Sequence, residues 1–288
     1  MDNYAAAHKP SAQLAKRRIL KHHLIPYFGP MQLDAIRQED VDKLVALLLR
    51  GKRSRKTVNN ITAVLSSLLR YAVRNKVIGP IDLSFNIKSQ DAEIVAVAAE
   101  DVDKLVQACT DLRYRAAILL AADAGLRVGE IRALQWPDVN DIAREITVSR
   151  SFDRTNALSE TKGWERRVLP ISERLWPALR ALDRTTRYVF GRRNSDLPLR
   201  YDGVREEILA IYKRAEVKLP PKPWHSLRHA FCTELARAGV PVNVLKELAG
   251  HKSIETTLRY MHTDREAKRG AIDSLRIHPG SHAARSKP

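Results

Sequence analysis

The chain has 288 residues, 44% of them hydrophobic, which is enough to bury one large core or two ordinary ones. Its 50 Lys and Arg exceed its 33 Asp and Glu by 17, an excess that points to a polyanion as partner, since each phosphate neutralised by a side chain releases a condensed counterion. A disulfide framework or zinc site is excluded because Cys109 and Cys232 are far apart with no Cys/His cluster near them, and a membrane span because the longest nearly apolar run, AAILLAADAGL, is short and carries Asp123; with no apolar secretory block at its start, the chain is expected in the cytoplasm, associated with the nucleoid, and without metal or cofactor.

Residues 1–90 carry 16 basic and 6 acidic side chains, a disproportionate share of the excess. SAQLAKRRILKHHLIPYFG predicts an amphipathic helix ending at Pro26 and Gly29. EDVDKLVALLLRG places Val41, Leu44, Val45 and Leu48 at helical spacing, and KTVNNITAVLSSLLRYAVRNKVIG does so with Val58, Ile61, Leu65, Leu68, Leu69 and Ala72. The polar faces of this helical module present Lys16, Arg17, Arg18, Lys21, Lys52, Arg53, Arg55, Lys56, Arg70 and Arg74, which could lie along DNA phosphates while the apolar stripes form the core. Over 80–98 the helical stripe disappears and Pro, Asp, Ser and Gln accumulate, so a linker is expected at 89–98.

A second domain is expected from Ala99 to 277. EDVDKLVQACTDLRYRAAILLAADAG reads as two helices and RVGEIRALQW as a third; EITVSR, ALSET and RRVLPI then read as strands of one small antiparallel sheet. Helices resume with SERLWPALRALDR, VREEILAIYKRAEV, HSLRHAFCTELARAG, VNVLKELAG and SIETTLRYMH, and residues 278–288 are expected to be disordered. The fold class is therefore mainly α with a small antiparallel β-sheet: a helical domain over 1–88 and an α+β domain over 99–277.

Four segments could carry chemistry. In AGLRVGEIRAL, Gly125 ends one helix, Arg127 opens the next, and Glu130 shares its face and can orient the guanidinium. In HSLRHAFCTELARAG, His225 and Arg228 lie at a helix start, where the dipole favours an anion, while His229 is nearer the apolar stripe and reads as structural. In AGHKSIETTLRYMH, Gly250 caps a helix, His251 follows with its ring free, Ser253 or Thr256 starts the next helix, and Tyr260 falls on it. Lys162 stands in the turn of ETKGWERRVLP. Two arginines, a lysine and two histidines are all donors to anionic oxygen, and neither HExxH nor a GK[ST] phosphate loop is present. Such a set fits a phosphodiester held by fixed cations while a phenol oxygen attacks phosphorus in line.

In order and spacing, these segments resemble the catalytic motifs of the tyrosine recombinases, also called the phage integrase family, from about Ala99 to Tyr260; HLIPYFG and KTVNNITAVLSSLLRYAV look like that family's core-binding domain. The resemblance implies a site-specific DNA recombinase with Tyr260 as nucleophile, forming a 3′-phosphotyrosyl link to DNA without metal or ATP. Arg127 and Arg228 would clamp the scissile phosphate, His225 and His251 would hydrogen-bond its oxygens, with His225 assisting proton transfer from the phenol. Lys162 would be general acid to the departing 5′ oxygen, and Glu130 would orient Arg127 from behind. It also implies a two-domain clamp around double-stranded DNA and a homotetramer on paired sites, with DREAKRGAIDSL as the helix that docks on a neighbour, and it allows for accessory DNA-bending proteins. Two alternatives stand beside it. One is a non-catalytic helix-turn-helix regulator using VPVNVLKELAGHKSIETTLRYMH, which leaves Arg127, Lys162, His225 and Arg228 unexplained; the other is a DNA-relaxing topoisomerase with the same cleavage chemistry.

Overall fold

The structure is a computed structural model that describes residues 10–88, 94–160, 166–192 and 195–261. These divide into two compact units, the first running to residue 88 with Asp153–Ala157, the second comprising Ile94–Phe152 and the chain from Leu158 onward.

In the first unit, α1 (Pro10–Ile19), a π-helical turn (Leu20–Leu24) and α2 (Ile25–Phe28) follow one another without a break. The helix thus passes through Pro26 and ends at Gly29, the second of the two expected stops. Proline lacks the N–H for a bond back to the preceding turn and its ring crowds that turn's carbonyl; the wider winding immediately upstream accommodates both. Helix α3 (Gln38–Arg50) buries Val41, Leu44 and Leu48 against Val58, Ile61, Leu65 and Leu69 of α4 (Arg55–Arg74), with Leu24, Phe28 and Ile36 completing the core. Ser54 caps α4 by accepting from the Thr57 N–H at 3.2 Å. Lys16 is half-buried, whereas Arg17, Arg18, Lys21, Lys52, Arg53, Arg55, Lys56, Arg70 and Arg74 are exposed.

Residues 81–88 belong to this unit's core. The segment is extended, and its alternate residues Ile81, Leu83, Phe85 and Ile87 pack on the helices. Side-chain amides replace a strand partner. Gln38 accepts from the Ser84 N–H (2.8 Å) and donates to its carbonyl (3.2 Å), while Asn59 does the same for Ile87 (2.9 and 2.8 Å). The period of two in IDLSFNIK is the signal for this, hidden among polar residues that read as a linker.

The second unit is built around α6 (Leu112–Ala122), whose run from Ala116 to Ala121 is buried on every side, as befits a helix with no polar face. Around it pack α5 (Ala99–Gln107), α7 (Val128–Ala133), α8 (Leu175–Arg180) and α10 (Pro223–Arg237), with α9 (Tyr201–Arg214) against α10. The strands form two sheets where a single one was expected. Strands β1 (Val139–Asn140), β2 (Glu145–Val148) and β5 (Arg167–Pro170) make an antiparallel sheet in the order β1-β2-β5, and β3 (Arg150–Phe152) pairs with β4 (Leu158–Glu160). The division falls at Ser149: Glu160 lies opposite Arg150 and Arg167 opposite Val148. Lys162, between Glu160 and Arg167 in the chain, lies outside the described residues, as do DREAKRGAIDSL and 278–288. Helices α11 (Val242–Ala249) and α12 (Ile254–Leu258) close the described chain.

Candidate active site

The site gathers on the carbonyl end of α11. Gly250 ends this helix in the left-handed region (φ +63°), leaving successive carbonyls without partners inside the helix. Three arginines from three other elements supply them. Arg167 Nε donates to the Leu248 carbonyl at 3.1 Å, Arg228 Nη2 to that of Ala249 at 2.5 Å, and Arg127 Nη2 to that of Gly250 at 2.9 Å. Cationic groups here also face the negative end of the helix dipole. A β-carbon on Gly250 would come within 2.8 Å of Arg167 Nη1, so the close approach as well as the backbone conformation requires glycine.

Glu130 holds the cluster from behind. Its carboxylate accepts from the Arg127 N–H (2.9 Å) and Arg127 Nη1 (2.8 Å), and from Arg167 Nη1 and Nη2 at 3.2 and 2.7 Å. Burial alone would raise its pKa, but Arg167 and Arg127 outweigh that and hold it down to about 2. Arg228 is buried on α10 and also donates to the Gly125 carbonyl, which the left-handed backbone at Gly125 (φ +65°) turns toward it. Its burial and the nearby Arg127 lower the Arg228 pKa to about 10. Three guanidinium groups therefore share one carboxylate, and the local excess of positive charge favours an anion. Arg127, with a side chain 40% exposed, is the most accessible of the three side chains to a ligand.

Tyr260 lies beside this cluster, 6% exposed and packed on Phe231, Cys232, Leu245 and Ala249. It does not fall on a helix, since α12 ends at Leu258 and a turn, Tyr260 N–H to the Thr257 carbonyl at 3.0 Å, carries the chain past it. The ring of His251 stacks nearly parallel to it, 9° between planes and 6.0 Å between centroids. The loop sequence suggests a free His251 ring, and the structure corrects this. His251 is buried, and Nδ1 shares a 2.9 Å hydrogen bond with the Thr257 hydroxyl. If that hydroxyl donates, Nε2 carries the ring's N–H, the polarity that a phosphate oxygen needs. Ser253 caps α12 by accepting from the Glu255 N–H at 3.2 Å, which holds the loop. The phenol hydroxyl hydrogen-bonds His229 Nδ1 and lies beside the Cys232 thiol, and burial pushes its pKa upward.

Arg127, Glu130, Arg228, His251 and Tyr260 are thus assembled from segments far apart in sequence. His225, exposed at the start of α10, packs edge-on to His229, 4.8 Å between centroids, which ties it to the same place. Carbonyls at the end of α11 and the Glu130 carboxylate fix the guanidinium groups in place, an arrangement that can present charge-assisted donors to an anion. The sequence profile of the phage integrase family matches residues 96–267, which include all of these residues, and that of the family's N-terminal SAM-like domain matches residues 1–49.

The chain belongs to the phage integrase family.

Relatives support this membership along most of the chain. It is 25% identical to a XerC-like tyrosine recombinase of Caldanaerobacter subterraneus subsp. tengcongensis, covering 85% of this chain and 72% of the relative. It is 26% identical to the ICEBs1 integrase of Bacillus subtilis, covering 87% and 73%. In fold it is similar to the Tn1549 transposon integrase solved with a circular intermediate DNA (TM-score 0.78, 21% identity, 95% of this chain and 96% of that one). It is also similar to a lambda integrase tetramer bound to a Holliday junction (TM-score 0.69, 17% identity, 91% and 76%).

Two contributors escape a reading of this integrase's sequence alone. Arg167 looks like one more basic residue in WERRVLP, yet it is 8% exposed and binds both Glu130 and α11. The alternation of β5 does mark it as inward-facing, since Arg167 and Leu169 are buried and Val168 and Pro170 exposed. His229, read as structural, is the residue that touches the phenol.

Proposed function

We propose that this integrase is a site-specific DNA recombinase that cuts and rejoins strands through a covalent link between Tyr260 and a DNA 3′ phosphate. The carrying observation is the under-neutralised arginine cluster beside a buried tyrosine. Arg127 and Arg228 hold the scissile phosphodiester; His225 and His251 donate to its non-bridging oxygens; Glu130, together with Arg167, keeps Arg127 oriented. Guanidinium charge spreads the charge that develops at phosphorus, and exchange of one phosphoester for another conserves bond energy, so rejoining needs no ATP. Lys162 protonates the departing 5′ oxygen. The exposed basic side chains of the first unit, Arg17, Arg18 and their neighbours, contact the DNA backbone. The active assembly is a homotetramer on paired sites, with 264–275 as the docking segment and DNA-bending proteins as accessories.

The regulator reading fits less well, because it leaves the cluster of Arg127, Arg167 and Arg228 around Glu130 without a role. The test is covalent capture. Full-length protein incubated with a pool of random DNA fragments is denatured, and DNA that stays attached to protein is recovered and sequenced. One recurring site, with the adduct lost in Tyr260→Phe, is expected; an adduct that persists in Tyr260→Phe overturns the assignment. Relaxation of supercoiled DNA without site preference would move the protein to the topoisomerase class.

A further inference from the structure

Helix α10 presents His225, Arg228, His229 and Cys232 within about two turns, and Tyr260 packs against the last two. His229 and Tyr260 have centroids 5.7 Å apart with planes at 42°, and the phenol hydroxyl meets Nδ1. In the tautomer with the imidazole proton on Nε2, Nδ1 offers its lone pair to the phenol O–H. The surroundings favour that protonation state. Burial lowers the His229 pKa to about 4, and His225, Arg228, Arg259 and Lys222 add to the effect. On the phenol side, burial and the Cys232 thiol oppose ionisation, while Arg228 and Arg259 favour it. The resting contact is therefore a protonated phenol aimed at an unprotonated imidazole.

We propose that His229 is the catalytic base that accepts the Tyr260 proton, with His225 as its route to solvent; this rests on the reading of Tyr260 as nucleophile. As the Oη–P bond forms, the phenol O–H bond breaks and its proton passes to Nδ1. The P–O5′ bond breaks with its electron pair going to O5′, which is protonated by the separate acid. In rejoining, the 5′ hydroxyl returns its proton to the conjugate base of that acid as its oxygen attacks phosphorus, the P–Oη bond breaks with its electron pair going to the Tyr260 oxygen, and Nδ1 returns the phenol proton. A phosphodiester bound at Arg228 brings a negative charge beside the imidazole and raises its proton affinity when substrate is in place. His225, exposed at the mouth of the site, can exchange protons with water.

The test uses His229→Asn, whose amide oxygen keeps an acceptor near the Nδ1 position but has no basicity. Single-turnover adduct formation is followed against pH with full-length protein and a fragment recovered by covalent capture. The fragment is resynthesised with oxygen or sulfur as the bridging 5′ atom. Sulfur leaves without an acid, so it isolates activation of the nucleophile. His229→Asn is expected to bind this DNA as the wild type does, to form adduct roughly 10²–10³-fold more slowly on both substrates, and to keep accelerating with pH where the wild type levels off. A trifluorotyrosine at position 260, being more acidic, should recover about tenfold of that loss. An adduct rate within about threefold of wild type, or a loss cured by sulfur, overturns the proposal. So does a loss with unchanged pH profile and no fluorotyrosine rescue, which would mean that His229 only positions the ring. His229→Gln repeats the measurement if the asparagine variant does not fold. Adduct formation by Tyr260→Phe, by contrast, removes the nucleophile reading itself.

Discussion

Removing Glu130 should cost far more stability than a surface carboxylate would. The side chain is 4% exposed and receives four hydrogen bonds, one from a backbone N–H and three from Arg127 and Arg167. Breaking a buried ion pair by deleting one partner costs about 3–5 kcal/mol, because the other charge is left uncompensated. The pKa leads to a similar figure: a fall from 4.5 to about 2 corresponds to ~3 kcal/mol of coupling between charge and fold. Since the folded carboxyl titrates below the unfolded one, this contribution is complete above about pH 4.5 and is lost as pH falls toward about 2. The assay is urea unfolding of full-length protein followed by tryptophan fluorescence; Trp136, Trp164, Trp176 and Trp224 all lie beyond residue 94, so the signal reports the second unit. Glu130→Ala should lower unfolding free energy at neutral pH by about 3–5 kcal/mol, and Glu130→Gln should lose the acid-range slope. The double variant Glu130→Leu with Arg167→Met should be more stable than Glu130→Ala, because the buried Arg167 guanidinium is no longer orphaned while Arg127, 40% exposed, can be solvated. A Glu130→Ala protein within about 1 kcal/mol of wild type, or one that keeps the wild-type acid slope, would refute this reasoning.

Other perturbations follow from the same geometry. Gly250→Ala should destabilise the second unit by about 1–2 kcal/mol, from the positive φ and the clash with Arg167, and should slow adduct formation more than it weakens DNA binding; equal slowing and weakening would argue against a role confined to the site. Buried His251, whose pKa is lowered to about 3 by burial and by Arg228 and Arg127, contributes stability that is present above its ordinary 6.5 and lost as pH falls from there toward about 3. Unfolding midpoints of wild type and His251→Phe measured from pH 7 to 4 should therefore converge with acidification. The double variant Arg17→Ala with Arg18→Ala should reduce the slope of log affinity against log salt by roughly 0.9 for each DNA phosphate that these side chains neutralise, measured on captured DNA.

What the linear chain revealed was what depends on near neighbours. The helical stripes of Val41, Leu44 and Leu48, the cap at Gly250 and the Arg127–Glu130 pair are all set by spacings of three or four residues, and each is present in the structure. The extended segment 81–88 was legible in principle, but its period of two spans few residues and is diluted by Asp82, Ser84 and Asn86.

Sequence by itself also determined which kinds of group this integrase can bring to a phosphate, because basic and phenolic side chains and their order are carried by the chain directly. Only the tertiary structure decided how they are used. Arg127 meets Gly250 across 123 residues and Arg228 meets Gly125 across 103, and no local pattern encodes such pairings. That His251 is buried on Thr257, that Arg167 joins Glu130 to the end of α11, and that His229 faces the phenol all depend on which helix end is left with unpaired carbonyls and which charges can approach it. That selection is made by burial and electrostatics in three dimensions, where a buried charge persists only beside a partner.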